Sequence, residues 1–279
     1  MSLFDLFYRT YKLFPVSVRV FMRGVYFACK YGSSDMFVTV DLELNTKCNL
    51  SCKYCPNFWS GSRGVNYMPW ATIKKVVQDL VDISYEGNIN TSFYGEPLLD
   101  KRLEKISKYI KKHLPKTFIR VFSNATLMTI KKYDALCAAG VKEFVLTGHT
   151  KLGEQNIDSL INHYGDGLPV PIKHNVLPYL VNRGGLVPLK NVVPTETCVS
   201  PSRYLSITHS GNVLLCCCDF NEENVMGNVL AENLLSIWRQ PVYAQLRRDI
   251  KRGVYSLDMC QQCGRVKNDG KVEYKGDSE

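Results

Sequence analysis

No stretch of this 279-residue sequence is both long and free of charge. A membrane-spanning helix needs roughly 18 or more apolar residues in succession. The most apolar segment, residues 1–30, is interrupted by Asp5, Arg9, Lys12, Arg19, Arg23 and Lys30. That excludes a spanning helix there, and no small-residue cleavage site follows, so no secretory signal is expected. Leu3, Leu6, Phe7, Tyr11 and Phe14 recur near helical spacing before Pro15. The pattern predicts a helix packed on the core, or one whose apolar face rests on a membrane surface or a partner. Internal repeats and low-complexity tracts are also missing, as is any Lys/Arg run interleaved with aromatics. The last absence removes the usual signature of a nucleic-acid surface, although the net charge is +9. The positive charge fits an anionic partner or a solvated basic surface. Hydrophobic residues at 45% and charged residues at 22% are those of an ordinary globular protein.

Cysteine is present in excess. There are eleven: Cys29, Cys48, Cys52, Cys55, Cys137, Cys198, Cys216, Cys217, Cys218, Cys260 and Cys263. Their odd number and tight local spacing argue against a disulfide framework. A reducing, cytoplasmic location and thiolate–metal chemistry are the expectation. Cys29 and Cys137, isolated in helical stretches, are expected to be core thiols.

A strand–helix rhythm runs through the first two-thirds of the chain. Residues 37–44 alternate apolar and polar side chains and predict a strand. Pro69 opens a helix over 70–83 that aligns Ile73, Val76, Val77 and Leu80 on one face. Further strands are expected at 88–94, 118–122, 144–147 and 172–177. Helices are expected through Leu103, Ile106 and Ile110, around Leu136, and at 157–161. Such alternation predicts an α/β fold with a parallel sheet, closed or partly closed into a barrel, with its chemistry at the C-terminal strand ends. The rhythm breaks in the Gly- and Pro-containing stretch 181–197. A β-hairpin is expected from 204–208 and 212–217 around His209-Ser210-Gly211. Short helices at 234–238 and 242–251 follow, and the polar stretch 266–279 is expected to be mobile.

Cys48-Asn-Leu-Ser-Cys52-Lys-Tyr-Cys55 follows directly on the first strand. A zinc site would require a fourth ligand, and no His or Cys lies close by in sequence. An iron–sulfur cube held by three cysteines leaves one iron open to a non-protein ligand. Cys198, Cys216, Cys260 and Cys263 form a second set. Spacing alone leaves open a four-iron cube or a zinc site there. If the hairpin strand continues through the triplet, Cys216 and Cys218 share a face and either is a possible ligand.

The first motif resembles the hallmark of the radical S-adenosylmethionine (radical SAM) superfamily, with Tyr54 in the usual aromatic place. Tyr94-Gly95-Glu96-Pro97 is similar to the family's Gly-Gly-Glu-Pro element, with Tyr94 in place of the first glycine. The resemblance implies a partial (β/α)6 barrel at 37–180, preceded by a helical extension at 1–36. A small C-terminal α+β auxiliary-cluster domain of the twitch type would occupy 181–279. It implies two [4Fe-4S] clusters and SAM, with Cys48, Cys52 and Cys55 on the first cluster. Cys198, Cys216, Cys260 and Cys263 would hold the second. The cofactor would lie near Tyr54, Gly95, Glu96, Ser123, Asn124 and Thr147.

Within the superfamily the chain resembles dehydrogenases that oxidise an aminocyclitol. The shared stretches are Cys52-Lys-Tyr-Cys55-Pro-Asn57, Phe93-Tyr-Gly-Glu-Pro-Leu-Leu99, Asn182-Arg-Gly-Gly185, Gly211-Asn-Val-Leu214, Asp219-Phe-Asn221 and Val225-Met-Gly-Asn228. By that similarity Arg183 reaches the substrate, and His149 and Tyr94 are candidate catalytic groups. Cys217 and Cys218 stand where those enzymes are expected to carry an aromatic and an acidic residue, which points to a different substrate. The expected reaction is hydrogen abstraction by a 5′-deoxyadenosyl radical and two-electron oxidation of an alcohol on a sugar, cyclitol or nucleotide-like molecule. Epimerisation, rearrangement or bond formation is the alternative outcome; a non-catalytic iron–sulfur or zinc protein that binds nucleic acid is a third. The enzymatic readings imply a small-molecule substrate and a reductant such as flavodoxin or ferredoxin.

Overall fold

A computed structural model describes residues 14–61 and 63–275. The helix expected through Leu3, Leu6, Phe7 and Tyr11 lies outside the described residues. The chain divides into two compact units, residues 1–37 and 38–279. In the first, α1 (Val16–Tyr31) begins after Pro15 and ends at Gly32, whose φ of 72° lets its N–H return to Ala28 O at 3.0 Å. No residue of α1 is buried, and Cys29 is exposed rather than the core thiol expected. No described helix is long and apolar enough to cross a membrane.

The second unit is built on an eight-stranded sheet. β1 (Thr39–Leu42), β2 (Asn88–Asn90), β3 (Phe118–Ser123), β4 (Val141–Leu146) and β5 (Ile172–His174) pair in parallel and in chain order. Between them lie α2 (Pro56–Trp59), α3 (Trp70–Asp82), α4 (Leu103–His113), α5 (Ile130–Ala138) and α6 (Lys151–Tyr164). All four residues of β1 are buried, polar Thr39 and Asp41 included. The alternation read there does not mark a wet face, because a parallel sheet is covered on both sides. α3 forms as its apolar spacing predicts: Ile73, Val76, Val77 and Leu80 are at most 2% exposed. Each contributes about 1.5–3 kcal/mol of burial. On α4, Leu103, Ile106 and Ile110 are buried in the same way, and Lys111, Lys112 and His113 face the negative end of its dipole. Thr129 and Thr150 cap the starts of α5 and α6 by accepting from Lys132 N and Gly153 N.

β6 (Tyr179–Val181) and β7 (Val193–Pro194) leave this sheet and flank β11 (Gly264–Lys267) in a separate three-stranded one. The expected hairpin is formed by β8 (Tyr204–Ile207) and β9 (Asn212–Leu214), turned by Gly211 at φ 88°. β10 (Val225–Asn228) adds outside it. β8 runs parallel to β1 on the side away from β2, so the C-terminal region is continuous with the core sheet. α7 (Leu234–Arg239), α8 (Pro241–Lys251) and α9 (Asp258–Gln262) follow. The stretch expected to be mobile is structured as far as Lys275. β11 occupies its start, and Tyr274 packs into a cluster with Leu180, Val187 and Leu189 beside Tyr54 and Trp59. An aromatic ring among seven aliphatic and two aromatic side chains outweighs the polar composition around it.

Candidate active site

Four loops meet at the C-terminal ends of β1 to β4, and the first cysteine motif occupies the first of them. Asn45 Nδ2 donates to Glu96 O (3.1 Å), and Glu96 N–H donates to Lys47 O (2.7 Å). The loops after β1 and β2 approach so closely that a Cβ on Gly95 would lie 2.1 Å from Asn45 O. Only glycine fits there. Asn57 Nδ2 adds a bond to Tyr94 O at 3.0 Å, so the Tyr94-Gly95-Glu96 turn is pinned beside the cysteines.

Cys55 N–H donates to Cys52 O (2.9 Å) and Phe58 N–H to Cys55 O (3.0 Å), which winds the motif tightly before α2. Asn124 Nδ2 reaches Cys48 Sγ at 3.9 Å. Burial pushes all three thiols up, and neighbouring Glu96 and the other two thiols add to the effect at Cys48. A metal bound here must therefore displace protons. Three thiols in one partly buried loop fit an iron–sulfur cube with one iron left for a non-protein ligand. His149 lines the same cavity, but its ring is engaged by the Tyr54 hydroxyl, 2.6 Å from Nδ1. Burial pushes His149 down, so the imidazole is neutral at pH 7. Tyr54 is pushed far up by burial and the adjacent cysteines.

Glu96 organises the loops after β2 and β3. Its Oε1 accepts from Leu98 N–H (3.0 Å) and Ser123 Oγ (2.8 Å), and its Oε2 from Asn124 N–H (2.9 Å). Burial pushes this carboxyl up while the three bonds oppose it. Asn124 also bonds Asn49 Oδ1 (2.9 Å), returning to the cysteine loop. Thr147 N–H donates to Ser123 O and His149 N–H to Thr147 O, both at 3.0 Å. All twelve residues expected at the first cluster, the cofactor and the catalytic position line one cavity.

Arg183 enters that cavity from the loop after β6. It has φ +52°, followed by Gly184 at +67° and Gly185 at +94°. A non-glycine residue held left-handed costs about 1–3 kcal/mol, a strain typical of functional loops. The loop is tied down by Asn182, whose Nδ2 donates to Gln262 O (2.7 Å) and whose Oδ1 accepts from Gly264 N–H (2.8 Å). The guanidinium carbon lies 5.7 Å from the centre of the Tyr94 ring, and Nη1 lies 3.8 Å from Cys217 Sγ. Tyr94 is buried and donates its hydroxyl proton to Cys217 O. Burial pushes its pKa well up.

Cys198, Cys260 and Cys263 interact electrostatically with one another, and Cys263 N–H donates to Cys260 O at 3.3 Å. The strand geometry expected for Cys216, Cys217 and Cys218 is not found. β9 ends at Leu214, and the triplet lies in turns closed by Asp219 N–H to Cys216 O (3.2 Å) and Phe220 N–H to Cys218 O (3.0 Å). Alternation therefore does not sort these thiols. Cys218 interacts with both the Cys216 and the Cys263 thiols and so links the triplet to the other three; four thiols from this group fit a cube with no open iron.

The roles of three contributors escaped the sequence reading, although Asn182 was part of a motif it singled out. Asn45 and Asn182 act through side-chain bonds across 51 and 82 residues, for which local spacing gives no signal. Arg63 lies 4.6 Å from the Phe220 ring and 5.8 Å from the Tyr94 ring, and it pairs with Glu43 and Glu222. Glu43, His209 and Glu222 have ligand atoms within 4.8 Å of one another, and Arg63 pairs with both carboxylates, offsetting one of their two charges.

Comparison with known proteins agrees with this geometry. The model of the radical SAM superfamily matches residues 42–150, and that of an iron–sulfur cluster-binding (SPASM) domain matches residues 198–264. A curated relative, the S-adenosyl-L-methionine-dependent 2-deoxy-scyllo-inosamine dehydrogenase of Niallia circulans, is 29% identical over 246 residues. The match spans 86% of this chain and 97% of the relative. The crystal structure of BtrN in complex with AdoMet and 2-DOIA is 30% identical, with a TM-score of 0.72 over 82% of this chain and 93% of that one. BtrN in an open conformation is 27% identical at a TM-score of 0.63, covering 82% and 92%. The chain belongs to the radical SAM superfamily, with an iron–sulfur-binding region appended to its α/β core.

Proposed function

We propose that this radical SAM enzyme oxidises an alcohol carbon of a small polyol (a cyclitol, sugar or nucleotide-like molecule) by two electrons. The observation that carries the reading is the place of Arg183. It lines the cavity of the first cysteine motif and a second cavity beside Cys218, on a loop bonded to the Cys260–Cys263 turn. A substrate held by this guanidinium stands between the two cysteine sites. The name of the Niallia circulans relative supports an oxidation at such a position.

Cys48, Cys52 and Cys55 would hold the first cluster; Cys198, Cys216, Cys260 and Cys263 would hold the second. When bound, these clusters and SAM supply a hydrogen-abstracting radical and an acceptor for the electron left on the substrate. The turn at Gly95 and Glu96 would hold the cofactor's amino group, and Ser123, Asn124 and Thr147, on the same cavity wall, would meet its carboxylate and ribose. Tyr54 lines the cavity beside the cysteine loop. Arg183 binds the substrate oxygen and stabilises negative charge on it. Tyr94, whose proton is committed to Cys217 O, orients Arg183 and is not the base. His149, which lines the same cavity, is the remaining group to take the hydroxyl proton, once its bond to the Tyr54 hydroxyl opens.

The test is mass analysis of products from the reduced enzyme with SAM and a panel of cyclitols, including 2-deoxy-scyllo-inosamine, and nucleotide sugars. A product lighter by two hydrogens, formed with 5′-deoxyadenosine, supports the reading. Turnover at unchanged mass would establish isomerisation instead.

A further inference from the structure

The second cysteine site holds five thiols where a cube needs four. Cys218 N–H donates to Cys216 Sγ at 3.4 Å, so the two residues share one tight turn. The Cys218 thiol lies within interaction range of the thiols of Cys216, Cys217 and Cys263, which places it beside two of the residues read as ligands. It also lies within electrostatic reach of Cys260. Cys217 also lies beside the Cys218 thiol, with its own Sγ 3.8 Å from Arg183 Nη1.

The two competing thiols differ in surroundings. Cys216 is buried at 7% exposure, whereas Cys218 lines the cavity that also holds Arg183, Met259 and Gln262. Each iron of a cysteine-bound cube takes one protein thiolate, so one of the two is left over.

We propose that Cys216 and Cys218 are interchangeable ligands for one iron of the auxiliary cluster, Cys216 from the buried side and Cys218 from the cavity side. This rests on reading Cys198, Cys260 and Cys263 as the other three ligands. Exchange breaks one iron–sulfur bond as the other forms. The incoming thiol gives up its proton and the outgoing thiolate takes one, so the cluster's electron count is unchanged. Because hydrogen bonding and solvent exposure at the sulfurs tune such clusters, the exchange couples the auxiliary cluster to occupancy of the cavity.

The experiment uses the full chain with Cys48, Cys52 and Cys55 changed to Ala, so that the auxiliary cluster alone is read. Iron content and EPR are measured after anaerobic reconstitution, and circular dichroism checks folding. The background is expected to hold about four irons, and so are the added Cys216→Ala and Cys218→Ala variants, each with its own shifted EPR spectrum. The double variant is expected to hold about three irons or none. Cys217→Ala should match the background in iron content, and so should the Cys217→Ala, Cys218→Ala pair as long as Cys216 is present. Loss of iron from Cys216→Ala alone, with Cys218→Ala unchanged in iron and spectrum, overturns the proposal. A folded background without iron overturns the ligand reading beneath it as well.

Discussion

Glu96→Gln changes one carboxylate oxygen to an NH₂ group with almost no change of shape. Three donors converge on this carboxylate: Leu98 N–H, Ser123 Oγ and Asn124 N–H. Turned so that its amide oxygen replaces Oε1, the glutamine keeps two of them. Its NH₂ then faces Asn124 N–H, donor against donor. A buried donor left unpaired costs about 1–3 kcal/mol, and each retained bond weakens when its acceptor loses charge. The sum is about 3 kcal/mol. For a unit of this size that lowers Tm by about 6–12 °C. Because the same bonds fix the loops after β2 and β3 around the cavity, SAM affinity should fall about a hundredfold if the loops relax. Anaerobic thermal unfolding and equilibrium dialysis with SAM read both effects. A variant with unchanged Tm and unchanged SAM affinity would refute the view that Glu96 organises the cofactor side of the cavity.

Three further predictions follow from single contacts. Gly95→Ala places a methyl 2.1 Å from Asn45 O, so SAM-dependent chemistry should fall at least about tenfold while iron at Cys198, Cys260 and Cys263 is retained. Iron analysis beside a 5′-deoxyadenosine assay checks it. Arg183→Lys keeps the charge but loses the planar fork, so substrate-stimulated turnover should drop about tenfold or more, with KM raised rather than SAM affinity changed. Asp41 concerns pH. Burial, with Cys217 nearby, lifts its carboxyl from 3.8 to about 7 against the opposing bond from Asn90. The native state therefore binds more protons than the unfolded chain between those values, and its stability falls as pH rises from about 4 to about 7. Asp41→Asn removes this slope. Relative to wild type it should gain stability with rising pH, by up to about 4 kcal/mol, and parallel Tm-against-pH curves would contradict the assignment.

The rhythm of β1 to β5 was legible because parallel strands and their covering helices carry distinct local periods, 2 and 3.6 residues. Cys48, Cys52 and Cys55 were legible because their chemistry is packed into eight consecutive residues. The neighbour of β1 was not. Thr39 meets Tyr204 across 165 residues, and nothing local in either segment encodes the other. The triplet at Cys216 failed for a related reason. Strand alternation was extended past Leu214, but the backbone bonds of Asp219 and Phe220 turn the chain and bring Cys218 toward Cys263. Tyr274 was lost among charged residues, although its ring stacks on Trp59 at 5.7 Å. Arg183 was visible as part of Asn182-Arg-Gly-Gly185, whereas its link to both cavities required the Asn182 bonds.

The most direct measurement is iron and sulfide content with EPR on anaerobically reconstituted wild type and on the Cys48→Ala, Cys52→Ala, Cys55→Ala triple variant. Two four-iron cubes predict about eight irons in wild type and about four in the variant, with reductive cleavage of SAM abolished in the variant alone. About four irons in wild type and none in the variant would leave Cys198, Cys260 and Cys263 without an iron cluster. The proposed oxidation would then have no electron acceptor.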